Sequence, residues 1–273
     1  ILGLSLGTLL GGIIPQLFPN LATEGTAIFS PLSMTIVFAI FIKLVNTIVL
    51  IVFVKEQPNT PIGDTKSGLG GIPSIVRDAF VQTRKNPIIL LLFAASFCSV
   101  LVLTGIETFW QPHFAQWLGA TENSFVFGLT MTGAFVVGIF GNLLSIPLSK
   151  VMRKRYGFVA ALFQSLAGVA VILLALQQDV IFGIGFFWLF YFMNAGLESP
   201  IATILNNEIP SGRRSSMQSV LSLASYAGAF FGSVTLGWLA EYQSISIAWL
   251  LGGSLLVASG LFLITAERLR FNG

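Results

Sequence analysis

Charge is what this chain of 273 residues has least of. Asp, Glu, Lys and Arg make up 9% of it, against about 25% in an ordinary soluble domain. With 14 basic and 11 acidic side chains, no globular surface of this size can be clothed, and a soluble fold is excluded. Aspartate is scarcer still (Asp64, Asp78 and Asp179), and cysteine and histidine occur once each, as Cys98 and His113. One cysteine excludes an internal disulfide and a Cys-rich metal site. One histidine, with no aspartate inside an apolar run, leaves little from which to build a metal cage or a nucleophile–base pair. No G-x4-G-K-[ST] stretch is present, so the chain encodes no phosphate loop for ATP hydrolysis. These shortages argue against an enzyme and against any metal or cofactor. The net charge of +3 is not gathered into one patch and does not suggest nucleic acid.

What the chain has is apolar length. Hydrophobic residues are 55% of it, with 25 Phe, and the mean hydropathy is +0.87. Disorder is excluded by the same composition. A bilayer core of about 30 Å needs about 20 mostly apolar residues per helix. The runs 1–18, 31–54, 88–110, 124–149, 156–176, 180–205, 216–240 and 246–266 meet or approach that length. Barrel strands would be about ten residues long and alternating, so the reading is an all-α integral membrane protein with about eight transmembrane helices. The first residue is Ile1, inside an apolar run with no charged region before it. This reads as a fragment whose first run is shortened rather than as a cleaved signal peptide.

The basic residues set an orientation. Loop 55–87 holds Lys55, Lys66, Arg77, Arg84 and Lys85; loop 150–155 holds Lys150, Arg153, Lys154 and Arg155; loop 206–215 holds Arg213 and Arg214; and the tail holds Arg268 and Arg270. The alternate loops carry none, only Glu24, Glu122, Asp179 and Glu241. Basic loops stay in the cytoplasm, which places both the observed start and the C-terminus there. The long connection 55–87 opens as a flexible polar linker. Within it, Ile72, Ile75, Val76, Ala79 and Phe80 recur at helical spacing, predicting an amphipathic surface helix over 73–85. Three segments follow: 1–54 with two helices, 55–87 as cytoplasmic linker, and 88–273 as a six-helix bundle.

Several stretches carry a resemblance. The opening Gly3-x3-Gly7-Thr8-x2-Gly11-Gly12 resembles a fifth-helix glycine motif, with Thr8 where the motif has Pro. Gly141 to Ser145, followed by Arg153-Lys154-Arg155, resembles the signature repeat of the eighth-to-ninth helix loop, with Ser145 in place of its acidic residue. Gly196-Leu-Glu198-Ser-Pro200, with Asn206, Arg213-Arg214 and Leu221-Ser222-Leu223, resembles a tenth-to-eleventh helix junction. Together these make the chain similar to helices five to twelve of a twelve-helix major facilitator superfamily transporter. The resemblance implies a helical bundle of that type, two halves rocking about a central site, and a monomer.

Charges inside spans are functional candidates by default. Three occur: Lys43, Glu107 and Glu198. Lys43, with Asn46 one turn along, could pair with an anionic solute or a coupling carboxylate, or simply with a carboxylate elsewhere. Glu107 precedes Trp110 and Pro112. It suits proton exchange, or it is an interfacial residue in an aromatic belt, and Pro112 is expected to bend or end its helix. Glu198 shares a helical face with Asn194 and Tyr191. That stripe either lines a cavity or contacts the loop holding Arg213 and Arg214. Gly3, Gly7, Gly11, Gly12, Gly228 and Gly232 are expected at close helix contacts. His113 reads as interfacial and Cys98 as buried filler. The function this supports is secondary active transport of a small solute by alternating access, with proton-coupled efflux of an amphipathic or drug-like compound ahead of uptake. The alternative is a non-transporting scaffold or degenerate transporter fragment. Partners are the solute, a proton or other coupling ion and the lipid bilayer, in a plasma membrane of bacterial inner-membrane type.

The orientation is testable with Cys98→Ala as background. A cysteine at Glu122 should react with an impermeant thiol reagent in intact cells, and one at Arg153 only after permeabilisation. The reverse pattern would invert the topology.

Overall fold

The computed structural model describes residues 2–18, 31–54, 83–84, 86–118, 124–209 and 214–272. These form eight helices: α1 (Leu2–Leu17), α2 (Pro31–Phe53), α3 (Pro87–Leu118), α4 (Ser124–Val151), α5 (Tyr156–Ala175), α6 (Val180–Glu208), α7 (Arg214–Tyr242) and α8 (Ile245–Asn272). No strand occurs among the described residues. Seven helices, α2 to α8, are long and apolar enough to cross a membrane, and α1 is a shorter apolar helix. Water is absent from a bilayer core, so each backbone amide must bond within its own segment, which leaves helices as the form these apolar runs take. The predicted surface helix over 73–85, apart from Thr83 and Arg84, lies outside the described residues, as does Arg213.

The helices divide into two units. The smaller runs over Leu2–Ile72 and Thr121–Thr132, and the larger over Pro73–Ala120 and Gly133–Gly273. In the smaller unit, α1 meets the first turns of α4 at backbone contact. A Cβ on Gly12 would stand 3.0 Å from the Cα of Gly128 and 2.9 Å from the Ser124 carbonyl oxygen. Hydroxyls complete the seam: Thr8 and Thr132 are 3.0 Å apart, Thr132 donates to the Ser5 carbonyl at 3.2 Å, and Ser124 to that of Gly12 at 3.3 Å. Close packing was expected along all four α1 glycines. Gly3 and Gly7 instead have nothing within 4 Å, and Gly11 meets only a Thr35 methyl. The reason is rotational: Ser5, Thr8 and Gly12 share the face turned to α4, while Gly3, Gly7 and Gly11 share another. Helix α2 packs against α1 and is exposed at every position from 36 to 54, including Lys43 and Asn46.

The larger unit is built around α5, whose Ala and Gly residues let its neighbours approach. Gly168 and Gly253 of α8 face each other: a Cβ on either would come within 2.7 Å of the other's carbonyl oxygen. Fully buried Gln164 donates to the Ala95 carbonyl of α3 at 3.3 Å and to the Ser259 hydroxyl of α8. Gly228 and Gly232 of α7 lie against the backbone carbonyls of Phe97 and Leu101 of α3, the close contact expected of that small-residue face.

Helix α3 does not end at Pro112. It continues to Leu118 because His113 and Phe114 are buried just beyond the proline, as Trp110 is just before it. Their rings stack with Phe187 (Trp110 at 5.2 Å and Phe114 at 5.8 Å between centroids). That burial outweighs the single hydrogen bond the proline removes. At its other end Asn86 caps α3, accepting from Ile88 N at 2.9 Å. Its amide donates to Glu208 Oε2 at 3.3 Å. Arg270 then joins Glu208 (3.2 Å) to Glu267 (3.3 Å), and fully buried Glu267 accepts from Gly157 N at 2.9 Å. This network carries α6 and α8 beyond their predicted ends.

Gly232→Ala should destabilise the purified protein by about 1–3 kcal/mol, because its methyl meets backbone rather than a movable side chain. Gly237→Ala, whose Cβ would be 4.0 Å from the nearest ring atom, should be close to neutral. Thermal unfolding in detergent measures both.

Candidate functional site

Helices α3 and α6 pack side by side in the larger unit, and each carries a polar stripe. On α6 the stripe is Tyr191, Asn194 and Glu198, set at i, i+3 and i+7 so that all three share a face. On α3 it is Ser96, Ser99 and, further along, Glu107. The stripes meet at two points. The Ser99 hydroxyl donates to Asn194 Oδ1 at 3.1 Å, and the Tyr191 hydroxyl donates to Glu107 Oε1 at 3.3 Å. From the level of Ser96 to that of Glu107 is about 16 Å along α3, at roughly 1.5 Å per residue. A line of polar groups thus runs along the α3–α6 contact, buried at Ser99 and Tyr191 and exposed at Glu107 and Glu198.

Aromatic rings hold the Tyr191 end. The Phe187 ring lies 5.0 Å from that of Tyr191, Phe190 at 5.5 Å and Phe135 at 6.1 Å. Boxed in this way, the phenol has little rotamer freedom to lose when it engages Glu107. Asp179 starts the helix that presents the stripe, its carboxylate accepting from Ile181 N at 2.8 Å and Phe182 N at 3.1 Å, an ordinary N-cap.

The Glu198 end opens into a cavity of about 390 Å³ between α3, α6 and α7. Its polar lining is Ser96, Ser99, Asn194, Glu198, Gln218 and Ser225; Val100, Leu103, Leu197, Ile201, Ala202 and Leu221 supply the apolar part. Among the described residues Glu198 is the one charged group in that lining. Arg214 donates instead to the Asn206 carbonyl at 3.2 Å. Pro200 lacks the N–H that would bond the Gly196 carbonyl, so α6 forgoes one backbone hydrogen bond there.

Of the residues singled out in the sequence, Tyr191, Asn194, Glu198 and Glu107 are therefore brought into one arrangement. Lys43 and Asn46 belong to the smaller unit. Gly228 and Gly232 seat α7 against α3 and so shape the cavity from behind. His113 is buried among protein side chains, its ring 4.6 Å from that of Trp117 and 4.7 Å from that of Trp249. Cys98 is buried, as a filler would be. Sequence reasoning missed Ser96, Ser99 and Gln218, because serine and glutamine in apolar runs attract no notice one at a time. The signal that could have found them was spacing: Ser96, Ser99 and Glu107 fall on one face of α3, and Gln218 and Ser225 on one face of α7. In the second polar cluster, Glu208–Arg270–Glu267, Arg270 was read only as a tail charge, and its two carboxylate partners drew no reading.

A family model described as Major Facilitator Superfamily matches residues 1–233. No curated protein matches the chain. Among solved structures, one similar to this chain is described as the crystal structure of a bacterial homolog to the human lysosomal transporter Spinster, in an inward-facing and unoccupied conformation. The TM-score is 0.53 at 19% identity, and the likeness covers 98% of this chain. The chain spans 64% of the length of that protein. With its seven apolar helices, it is an integral membrane protein.

If the α3–α6–α7 cavity holds water, cysteines placed at Leu103 or Ala202 in a Cys98→Ala background should react with a hydrophilic thiol reagent. One at Leu261, exposed on the α8 surface, should react far more slowly because it faces lipid. Equal rates at all three positions would mean that the cavity is dry or lipid-filled.

Proposed function

Because the chain belongs to the Major Facilitator Superfamily, we propose that it serves secondary active transport, moving a small solute across a membrane by alternating access. The observation that carries this reading is the polar column from Glu107 through Tyr191, Asn194 and Ser99 to the cavity at Glu198. A membrane protein that only filled space would gain nothing from two carboxylates within its spans, since each is costly to insert. Their value lies in binding and releasing a proton or a cationic group as water access alternates from one side of the membrane to the other.

The division of labour follows from surroundings. Glu198, in the cavity with serine, asparagine and glutamine beside it, contacts the solute. Its leucine and isoleucine neighbours suit an amphipathic or drug-like compound. Glu107, hydrogen-bonded to Tyr191, is the coupling carboxylate. Proton entry at Glu107 would weaken the charge-assisted bond from the phenol, so protonation and the packing of α3 on α6 are linked. In this reading 1–54 belongs to one bundle and 88–273 to the other, with 55–87 as the cytoplasmic connection. The basic ends face the cytoplasm, and the membrane is a bacterial inner membrane. Lys43 and Asn46, exposed on α2, serve contacts of the first bundle. Export is favoured over uptake by the glycine motif of α1, and the working unit is a monomer.

The test is transport in everted vesicles or proteoliposomes, with the protein as its cell makes it. Glu198→Gln should lower gradient-driven transport at least tenfold while expression and melting temperature hold. Glu107→Gln should leave solute exchange intact and abolish its dependence on the proton gradient. Unchanged transport and pH profile in both variants would overturn the assignment of sites. Absence of transport of any amphipathic solute by the parent protein, under any gradient, would favour a scaffold.

A further inference from the structure

The turn between α4 and α5 carries more positive charge than the fold needs. Lys150, Arg153, Lys154 and Arg155 lie within one short stretch, the last three consecutive. Arg153 and Lys154 both take left-handed backbone conformations, with φ of 55° and 62°, which non-glycine residues rarely adopt. The turn is closed by its own main chain. The amides of Met152, Arg153, Lys154 and Arg155 donate to the carbonyls of Leu148, Lys150, Ser149 and Met152, at 2.8–3.1 Å. The last carbonyls of α4 are satisfied in this way, so the basic side chains are not needed to cap the helix.

Nor are they neutralised. Among the described residues neither Arg153 nor Lys154 pairs with a carboxylate. Ser145, one helical stretch earlier, spends its hydroxyl on the Asn142 carbonyl of its own helix at 2.7 Å. The neighbouring carboxylates are both engaged: Glu267 with Gly157 N and Arg270, and Glu208 with Arg270 and Asn86. Arg155 is held in place by aromatic faces, its guanidinium 5.8 Å from the Phe158 ring and 5.5 Å from that of Phe271. That second contact brings the end of α8 against the turn. The Phe271 ring under this fixed cation is 61% exposed, and Val151, two residues before Arg153 at the end of α4, is 79% exposed. In a chain that spans a membrane, such residues at the end of apolar helices meet acyl chains.

We infer that the α4–α5 turn and the end of α8 form a binding site for an anionic phospholipid, with the headgroup on Arg153, Lys154 and Arg155 and the acyl chains against Val151 and Phe271. Basic side chains clustered where helices leave the membrane attract acidic headgroups electrostatically. Arginine can also grip a phosphate through two hydrogen bonds at once. A free phosphate ester shares the headgroup chemistry but has nothing to place on Val151 and Phe271, and on that ground the structure favours the lipid. This inference needs only that the chain spans a membrane; it stands whether or not the protein transports.

The experiment is a lipid titration of the purified, delipidated protein, read by native mass spectrometry. Phosphatidylglycerol should bind about tenfold more tightly than phosphatidylcholine of the same chain length. Glycerol phosphate should compete poorly. Arg153→Gln, Lys154→Gln and Arg155→Gln combined should erase the preference, and Phe271→Ser should weaken phosphatidylglycerol while leaving glycerol phosphate unchanged. Should the triple variant misfold, Lys154→Gln alone, on an exposed side chain, should lower the preference severalfold. Arg213→Gln with Arg214→Gln, removing charge from another loop, should leave it intact. No preference in the parent protein, or a preference that survives the triple substitution, would overturn the site. Equal loss in the Arg213/Arg214 variant would reduce it to overall charge, and full competition by glycerol phosphate would replace the lipid with a soluble phosphate ester.

Discussion

Backbone contact between helices is the constraint from which the larger unit follows. In lipid there is little hydrophobic gain from bringing two apolar helices together, so association depends on close packing and on hydrogen bonds across the contact. Gly168 facing Gly253 lets α5 and α8 touch along their main chains, and Gly228 and Gly232 let α7 lie on the carbonyls of α3. Gln164, fully buried, ties α3 and α8 to α5 through the Ala95 carbonyl and Ser259. With α3 held from two sides, its serines and Glu107 are presented to α6 at fixed depth. The cavity is the space left where the three helices α3, α6 and α7 cannot all touch.

The two ends of the larger unit are stabilised by different physics. Near Glu107 the elements are locked by aromatic rings: Phe114, Trp117 and Trp249 lie against His113, and Trp110 and Phe114 meet Phe187, which reaches Tyr191. At the basic end the lock is ionic. Arg270 is shared by two carboxylates, one of them wholly buried, and those carboxylates in turn hold the Gly157 amide and the Asn86 cap of α3. A partly buried network of this kind is specific in geometry more than strong in net energy. A rigid aromatic end and a polar, ion-paired end give one bundle two kinds of rim, and the basic turn between α4 and α5 sits on the second.

Much of the architecture was legible in the sequence because membrane insertion reads composition. Eight helices stand where the apolar runs predicted them, and the Tyr191–Asn194–Glu198 stripe was visible from its period. The errors came where side chains from distant segments override a local rule. Pro112 reads as a bend or a stop, yet α3 continues past it because rings from α6 and α8 bury the next turn. Gly3 and Gly7 read as a contact seam, yet the seam uses Ser5, Thr8 and Gly12, because only the partner helix decides which of two small-residue faces is turned inward. Ser96, Ser99 and Gln218 were invisible singly, since a lone hydroxyl or amide in an apolar run bonds its own helix as readily as a neighbour.

The sequence by itself determined that this chain is helical, that it spans a membrane, where each span lies and which loops carry positive charge. Those properties follow from the transfer of each segment out of water, which is nearly local and additive along the chain. The tertiary structure alone decided that Glu107 meets Tyr191, that Ser99 meets Asn194, that Glu198 opens into a cavity, and that Arg270 is shared by Glu208 and Glu267. Those pairings depend on helix rotation and depth, which are set by a few glycines, one buried glutamine and an aromatic cluster acting across the bundle.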